Sequence, residues 1–429
     1  TFFLLTLVSF AATAQNKEQK ERLTAVAENF IEIYNTGDTA AYKKFLEQHN
    51  PDQASFARVY QGYKNAFNSI GKVETRKITP TSIDNVELTV QESKFDSWWK
   101  FNVITDSSQH FLRRTILPSP FPADFIKKGN LNDKQLETQL DSYITNKLSD
   151  NFNGNVLVAR GNKVVYAKSF GKNTEGKANT YDQTFDLASM GKMFTAISIL
   201  QLQDKKALSL DDKVEKFLPD LKNKAVSGVT INQLLTHTSG MGDFFESPLY
   251  PKLQADLKTS QNFLPFIEAD KLLFEPGTGW MYSNTGFVLL GIVIEKVSGL
   301  KFEDYVRQHI LLPAGMKATV PGQGAGGGTS TVSDLYSFST ALLNNKLLNP
   351  ATTARLLNYT VNGQYGLGTE HQQLGDEHIV GHSGGFINVC TELNLYTKGK
   401  NVVIILSNSN PPFGHFLSNK IKELLVRKS

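Results

Sequence analysis

From residue 131 to residue 429, strand-like patterning occurs only at the two extremes, with a helix-rich stretch between them. Leu136, Leu140, Ile144 and Leu148 recur at helical spacing, and Asn155–Tyr166 then reads as two β-runs around the turn pair Gly161-Asn162. At the far end Phe386–Leu395 alternates, Lys398-Gly-Lys400 turns, and Val402–Leu406 is a continuous apolar strand. A closing helix carries Leu417, Ile421, Leu424 and Leu425 on one face. This arrangement predicts one sheet assembled from N- and C-terminal pieces of residues 131–429.

A chain of 429 residues exceeds one ordinary domain. Residues 16–118 read as a smaller α+β unit. Leu23, Val26, Phe30 and Tyr34 form one helical stripe, and Phe56, Val59, Tyr63, Phe67 and Ile70 a second. Strand signals follow at Val86–Val90, Trp98–Val103 and Phe111–Leu117, the last two joined through Asp106-Ser-Ser. By layout alone this resembles the NTF2-like cone fold, whose members often pair; that leaves open a homodimer through this unit. Leu117-Pro-Ser-Pro-Phe-Pro122 opens a linker taken as residues 119–130.

The first 14 residues are a short apolar run ending Ala12-Thr13-Ala14, the form of a truncated secretory signal peptide. The expectation is an exported protein, periplasmic or extracellular, with no stable membrane anchor. Cys390 is the single cysteine, so no internal disulfide is expected, and its apolar surroundings point to the core. A formal charge of +4 without a basic run argues against nucleic acid.

Ser-x-x-Lys sets an alcohol and an amine one helical turn apart. An alcohol needs an adjacent base to become nucleophilic, and a lysine serves when its pKa is lowered. The pattern occurs at Ser69, Ser169, Ser189 and Ser298. Only Ser189 opens a long apolar helix, carrying Met193, Ala196, Ile197 and Leu200. A helix start offers free N–H groups and a positive dipole end to a developing oxyanion. Downstream come Tyr282-Ser-Asn284 and His382-Ser-Gly384. A second Tyr-x-Asn at Tyr63 falls on a helical stripe of the other unit and reads as structural.

Ser189-Met-Gly-Lys192, Tyr282-Ser-Asn284 and His382-Ser-Gly384, in that order, resemble the serine β-lactamase and penicillin-binding protein superfamily, in its class C and DD-peptidase branch. Phe185–Ser189, Leu234-Leu-Thr-His-Thr-Ser-Gly240, Phe274–Gly277 and Gly327–Thr331 extend the likeness, which covers about residues 130–425. The resemblance implies an α+β fold in three layers: an antiparallel sheet flanked by helices, beside an all-helical lobe. It implies that Ser189 is acylated and that Lys192 and Tyr282 move its proton. It implies that Asn284 binds substrate and steadies Lys192, that His382, Ser383 and Gly384 end an edge strand along which substrate lies, and that the N–H groups of Ser189 and Gly385 form the oxyanion hole. No cofactor and no metal is implied; the partner is a small-molecule or peptide substrate. Many β-lactamases have lysine at the position of His382, a fixed charge where a β-lactam carboxylate binds. A neutral histidine weakens that attraction. The expected activity is therefore hydrolysis of D-amino-acid peptides or small esters, with a β-lactamase or a slowly turning-over penicillin sensor as alternatives.

Rival motifs lack their context. Gly381-His-Ser-Gly-Gly385 matches a nucleophile elbow, but a strand pattern rather than a helix follows it. Gly322-Gln-Gly-Ala-Gly-Gly327 matches a dinucleotide fingerprint without a strand leading in; it reads as a flexible loop at the rim of the site. His237 reads as the structural holder of a turn. His371, His378 and His382 cluster without metal-ligand spacing.

Overall fold

The computed structural model describes residues 2–49, 53–82, 84–105 and 111–428, with the side chains of 2–16, 53–59, 69 and 111–114 set aside. The chain divides into two compact units, Thr1–Ile126 and Lys127–Ser429.

The first unit places helices α1 (Phe2–Thr36), α2 (Thr39–His49) and α3 (Gln53–Ile70) before strands β1 (Val73–Pro80), β2 (Asn85–Glu92), β3 (Trp98–Thr105) and β4 (Phe111–Ser119). The strands form an antiparallel meander in chain order. Strand β1 was not read from the sequence; its charged residues Glu74, Arg76 and Lys77 break the apolar signal. It is hooked to α1 by Asn35, whose side chain accepts from Val73 N–H and donates to Val73 O, both at 2.8 Å. The core is aromatic. Tyr42 stacks on Tyr63 with centroids 3.9 Å apart, and Tyr34 meets Tyr63 edge-on at 5.7 Å. The second Tyr-x-Asn copy thus starts with a buried core residue. Phe56, Val59, the Asp106-Ser-Ser turn and the side chains up to Ala14 lie outside the described residues. Among the described residues, no helix is long and apolar enough to cross a membrane.

The second unit opens with α4 (Asp133–Tyr143), capped by a reciprocal Asn132–Gln135 box. Strands β5 (Gly154–Arg160), β6 (Lys163–Phe170) and β7 (Phe185–Asp186) precede α5 (Lys192–Asp204) and α6 (Asn284–Ser298). After these come β8 (Val320–Gln323), β9 (Gly326–Ser330), α7 (Val332–Leu343), β10 (Glu370–Leu374), β11 (Glu377–Phe386), β12 (Val389–Tyr396), β13 (Asn401–Ser407) and α8 (Phe413–Leu425). The main sheet has the order β10-β11-β12-β13-β5-β6, all antiparallel. Its N- and C-terminal pieces meet where Val403 opposes Val158. Helices α4 and α8 cover one face and α7 the other. The result is an α/β/α sandwich beside a lobe in which α5 packs on α6.

Covering both faces explains β12. All eight of its residues are buried, although its sequence alternates. Leu393 and Leu395 enter the main core, each contributing roughly 1.5–3 kcal/mol. On the opposite face the polar positions form a seam against α8: Glu392 Oε1 lies 2.5 Å from His415 Nδ1, and Asn394 donates to Ser418 Oγ at 3.1 Å. Cys390 is fully buried.

Candidate active site

Ser189 sits in a tight turn, Ala188–Gly191, that feeds directly into α5. Ala188 holds φ +45°, a left-handed value that a Cβ disfavours. Two close approaches clamp this turn. A Cβ on Gly384 of β11 would stand 2.2 Å from Leu187 O, and one on Gly326 would stand 2.3 Å from Ala188 O. The glycine-rich segment 322–328 lines the site as expected, but as a paired hairpin rather than a loop. It joins β8 to β9, in register at Pro321–Gly328 and Gln323–Gly326, and presses against the backbone of Ala188 and Ser189. Glycine content signals mobility and close approach alike; the fold selects the second.

Lys192, one turn after Ser189, is fully buried. Its Nζ lies 3.2 Å from Ser189 Oγ, 2.6 Å from Asn284 Oδ1 and 2.6 Å from Ala325 O. The two carbonyl oxygens can only accept. A neutral amine has two N–H donors and one lone pair. Two donors thus go to Asn284 and Ala325, and the lone pair is left for the Ser189 proton. Burial lowers the Lys192 pKa to about 7, against the opposing pull of Asp243 and Glu370.

Asn284 is oriented by Asp243, which accepts from its backbone N–H at 3.0 Å and its side-chain amide at 2.7 Å. With Nδ2 held there, Oδ1 must face Lys192. Tyr282 precedes it by two residues. Its hydroxyl is buried and close to Ser189 but makes no hydrogen bond of good geometry. Burial raises the phenol's pKa, outweighing the lowering by Ser189, so it is protonated at neutral pH. Lys192 Nζ lies 4.8 Å from the Tyr282 ring centroid. His237 anchors this segment at both ends, accepting Ser283 N–H at Nδ1 (3.1 Å) and Met281 N–H at its carbonyl (3.0 Å). Burial holds its pKa well below the ordinary value, so it is a neutral support.

The strand carrying His382-Ser-Gly384 differs from expectation. β11 is second from the edge, because β10 pairs with it. The pairing stops where Glu370 opposes Gly381, so His382 to Phe386 keep a free side. His382 is buried with both ring nitrogens engaged. Nδ1 lies 2.6 Å from Ser383 O, which accepts only, so Nδ1 carries the proton and Nε2 accepts from Tyr365 O–H at 3.1 Å. Burial keeps this ring neutral. Ser383 donates its hydroxyl to Glu370 Oε1 (2.7 Å) and its N–H to Glu370 Oε2 (3.1 Å).

Ser189, Tyr282, Asn284, His382, Ser383 and Gly385 all line one cavity of about 900 Å³. Gly384 is buried behind it, packed on Leu187. Phe245 and Phe386, both exposed, face each other at its mouth with centroids 6.3 Å apart. The other Ser-x-x-Lys serines fall elsewhere: Ser169 on β6 and Ser298 at the end of α6. His371 and His378 pair with each other at 3.1 Å. Among the described residues no cluster of three metal-ligating side chains occurs. Sequence reasoning missed Asp243, Glu370, Tyr365 and the Ala325 carbonyl. Asp243 alone had a signal, three residues beyond the Leu234–Gly240 stretch.

An alcohol hydrogen-bonded to a buried amine, beside a phenol and at a helix start, is suited to acyl transfer. The sequence matches the β-lactamase family profile over residues 141–323, a span that includes Ser189, Lys192, Tyr282 and Asn284. It is 32% identical over 310 residues to penicillin-binding protein 4* of Bacillus subtilis, covering 60% of this chain and 68% of that protein. Among solved structures, a penicillin-binding protein from Bacillus halodurans is 26% identical with a TM-score of 0.59, over 69% of this chain and 100% of the other. A D-stereospecific amidohydrolase from Streptomyces sp. is 25% identical with a TM-score of 0.57, over 68% and 98%.

Proposed function

Because the chain belongs to the β-lactamase and penicillin-binding superfamily of serine hydrolases, we propose that it cleaves amide or ester bonds, of D-amino-acid peptides or small esters, through an acyl-enzyme on Ser189. The observation that carries this is the buried Lys192 Nζ held 3.2 Å from Ser189 Oγ by the Asn284 and Ala325 oxygens; in its neutral form, which burial favours, the amine's lone pair is free for the Ser189 proton. The proton passes from Ser189 Oγ to Lys192 Nζ as Oγ bonds to the substrate carbonyl carbon. The carbonyl oxygen becomes an oxyanion, received by the N–H groups of Ser189 and Gly385. The tetrahedral intermediate collapses, the leaving group takes a proton from Tyr282, and Lys192 returns one to the phenol. Water repeats the sequence to release the acid. Asn284 holds the substrate's acyl side and, with Asp243, the amine. The amidohydrolase likeness supports amide substrates of D configuration.

A chromogenic short-chain ester and a D-aminoacyl amide test this. Steady turnover of either, lost in Ser189→Ala, is expected. A stoichiometric burst without turnover favours the sensor, and undiminished turnover in Ser189→Ala refutes the assignment.

We also propose an exported protein, periplasmic or extracellular, on the apolar run ending Ala12-Thr13-Ala14; recovery from the cytosol with that segment intact refutes it. The helix-and-meander layout of the first unit supports a homodimer of the 47.6 kDa chain. A monomeric mass in light scattering refutes that.

A further inference from the structure

Deepening the reading above, and resting on it, we propose that Glu370 is a charge-selecting residue: the site rejects substrates with a carboxylate next to the scissile bond and favours neutral or cationic leaving groups. His382 and Ser383 stand on the free side of β11, on the wall of the cavity beside Ser189, where a substrate's polar groups would seek donors. Here those donors are already taken by a carboxylate of the protein. Glu370 accepts both the hydroxyl and the N–H of Ser383, at 2.7 and 3.1 Å. It lines the cavity with its side chain 40% exposed, and it opens β10, at the last pair of the β10–β11 ladder, where the free side of β11 begins. A substrate carboxylate laid on Ser383 would meet filled donors and a like charge. A substrate ammonium would meet the lone pairs that Ser383 leaves unused.

The rest of the wall does not offset this. No lysine or arginine lines the cavity among the described residues, and Asp186 adds a second carboxylate. Lys192 spends its donors on Asn284 and Ala325. His382 has its one proton on Ser383 O. His415, also on the wall, is matched by the buried Glu392 carboxylate at 2.5 Å.

The test uses three N-acyl-D-alanyl amides that differ only in leaving group: D-alanine (anionic), D-alaninamide (neutral) and 1,2-diaminoethane (cationic), with a neutral ester alongside. In the full-length enzyme at low salt, kcat/KM for the neutral leaving group should exceed that for the anionic one by about tenfold or more, the cationic one standing at or above the neutral. The ratio should contract in 0.5 M salt. Glu370→Gln, which keeps Ser383 hydrogen-bonded, should narrow it to about threefold or less. A purely positioning role for Glu370 would lower all three rates together and leave the ratio intact, which overturns the proposal. So does a wild-type preference for the anionic leaving group, or cleavage of none of the three. If Glu370→Gln does not fold, the wild-type ratio and its salt dependence decide. Loss of Ser189-dependent ester turnover would instead indict the acyl-enzyme reading.

Discussion

Lowering the pH from 8 to 5 should switch the enzyme off through a single amine. The Lys192 lone pair exists only when the amine is neutral, and burial sets its pKa at about 7. At pH 6 about one molecule in eleven retains the neutral form, and at pH 5 about one in a hundred. Provided acylation limits the rate, kcat/KM should be flat above pH 8 and fall about tenfold per unit below 7. Few neighbours can imitate this limb. His371 titrates at about 4 and Glu392 at about 2. His237 and His382 are held below their ordinary value by burial, and His415 well above it through its partners. The assay is the initial rate on a neutral short-chain ester at constant ionic strength from pH 5 to 9, with Ser189→Ala as the blank. A profile flat down to pH 5, or one still rising at pH 9, refutes a neutral Lys192 as the base.

Three further outcomes follow from the same geometry. Asp243→Asn should lower the midpoint of that limb, because the Asp243 charge raises the Lys192 pKa, and should cut kcat about 100-fold by freeing the Asn284 amide to turn. Lys192→Met should abolish turnover and change how stability depends on pH. A fall from 10.5 to about 7 costs the folded state roughly 4 kcal/mol at pH 7, while two carbonyls left without donors cost the variant about 2–6 kcal/mol, so the two terms nearly offset there. The slope has a definite sign: between pH 7 and 10.5 the unfolded lysine binds a proton that the folded one does not. Wild-type stability should therefore gain about 1.4 kcal/mol per pH unit on the variant. Urea melts at pH 7 and 9 measure it, and a gap independent of pH refutes it. Gly384→Ala should lower kcat about 100-fold, because its Cβ would push Leu187 and with it Ser189; unchanged ester turnover would show that the turn yields at no cost.

That Ser189, Lys192, Tyr282 and Asn284 come together was legible because each is tied to a helix start or to a fixed short spacing. The sandwich was legible from β5, β6, β12 and β13, placed at the two ends of the second unit, whereas β10 (Glu-His-Gln-Gln-Leu) and β11 carry no apolar run that marks them. What escaped the sequence depends on approach between distant segments. Ala325 contributes a carbonyl, which has no residue signature. Glu370 and Asp243 are ordinary acids until β10 and the 242–248 segment bring them to Ser383 and Asn284. The hairpin at 322–328 looked loose because glycine is permissive, whereas its glycines answer a lack of space. That the polar half of β12 is buried was not legible, because pattern alone cannot show α8 laid over it.

The most direct trial is mass mapping of the enzyme quenched during turnover of a slow ester. A covalent acyl group on the peptide containing Ser189, missing from Ser189→Ala, is the predicted finding. Label on another serine or on Cys390, or turnover that persists when Ser189 is removed, would contradict it.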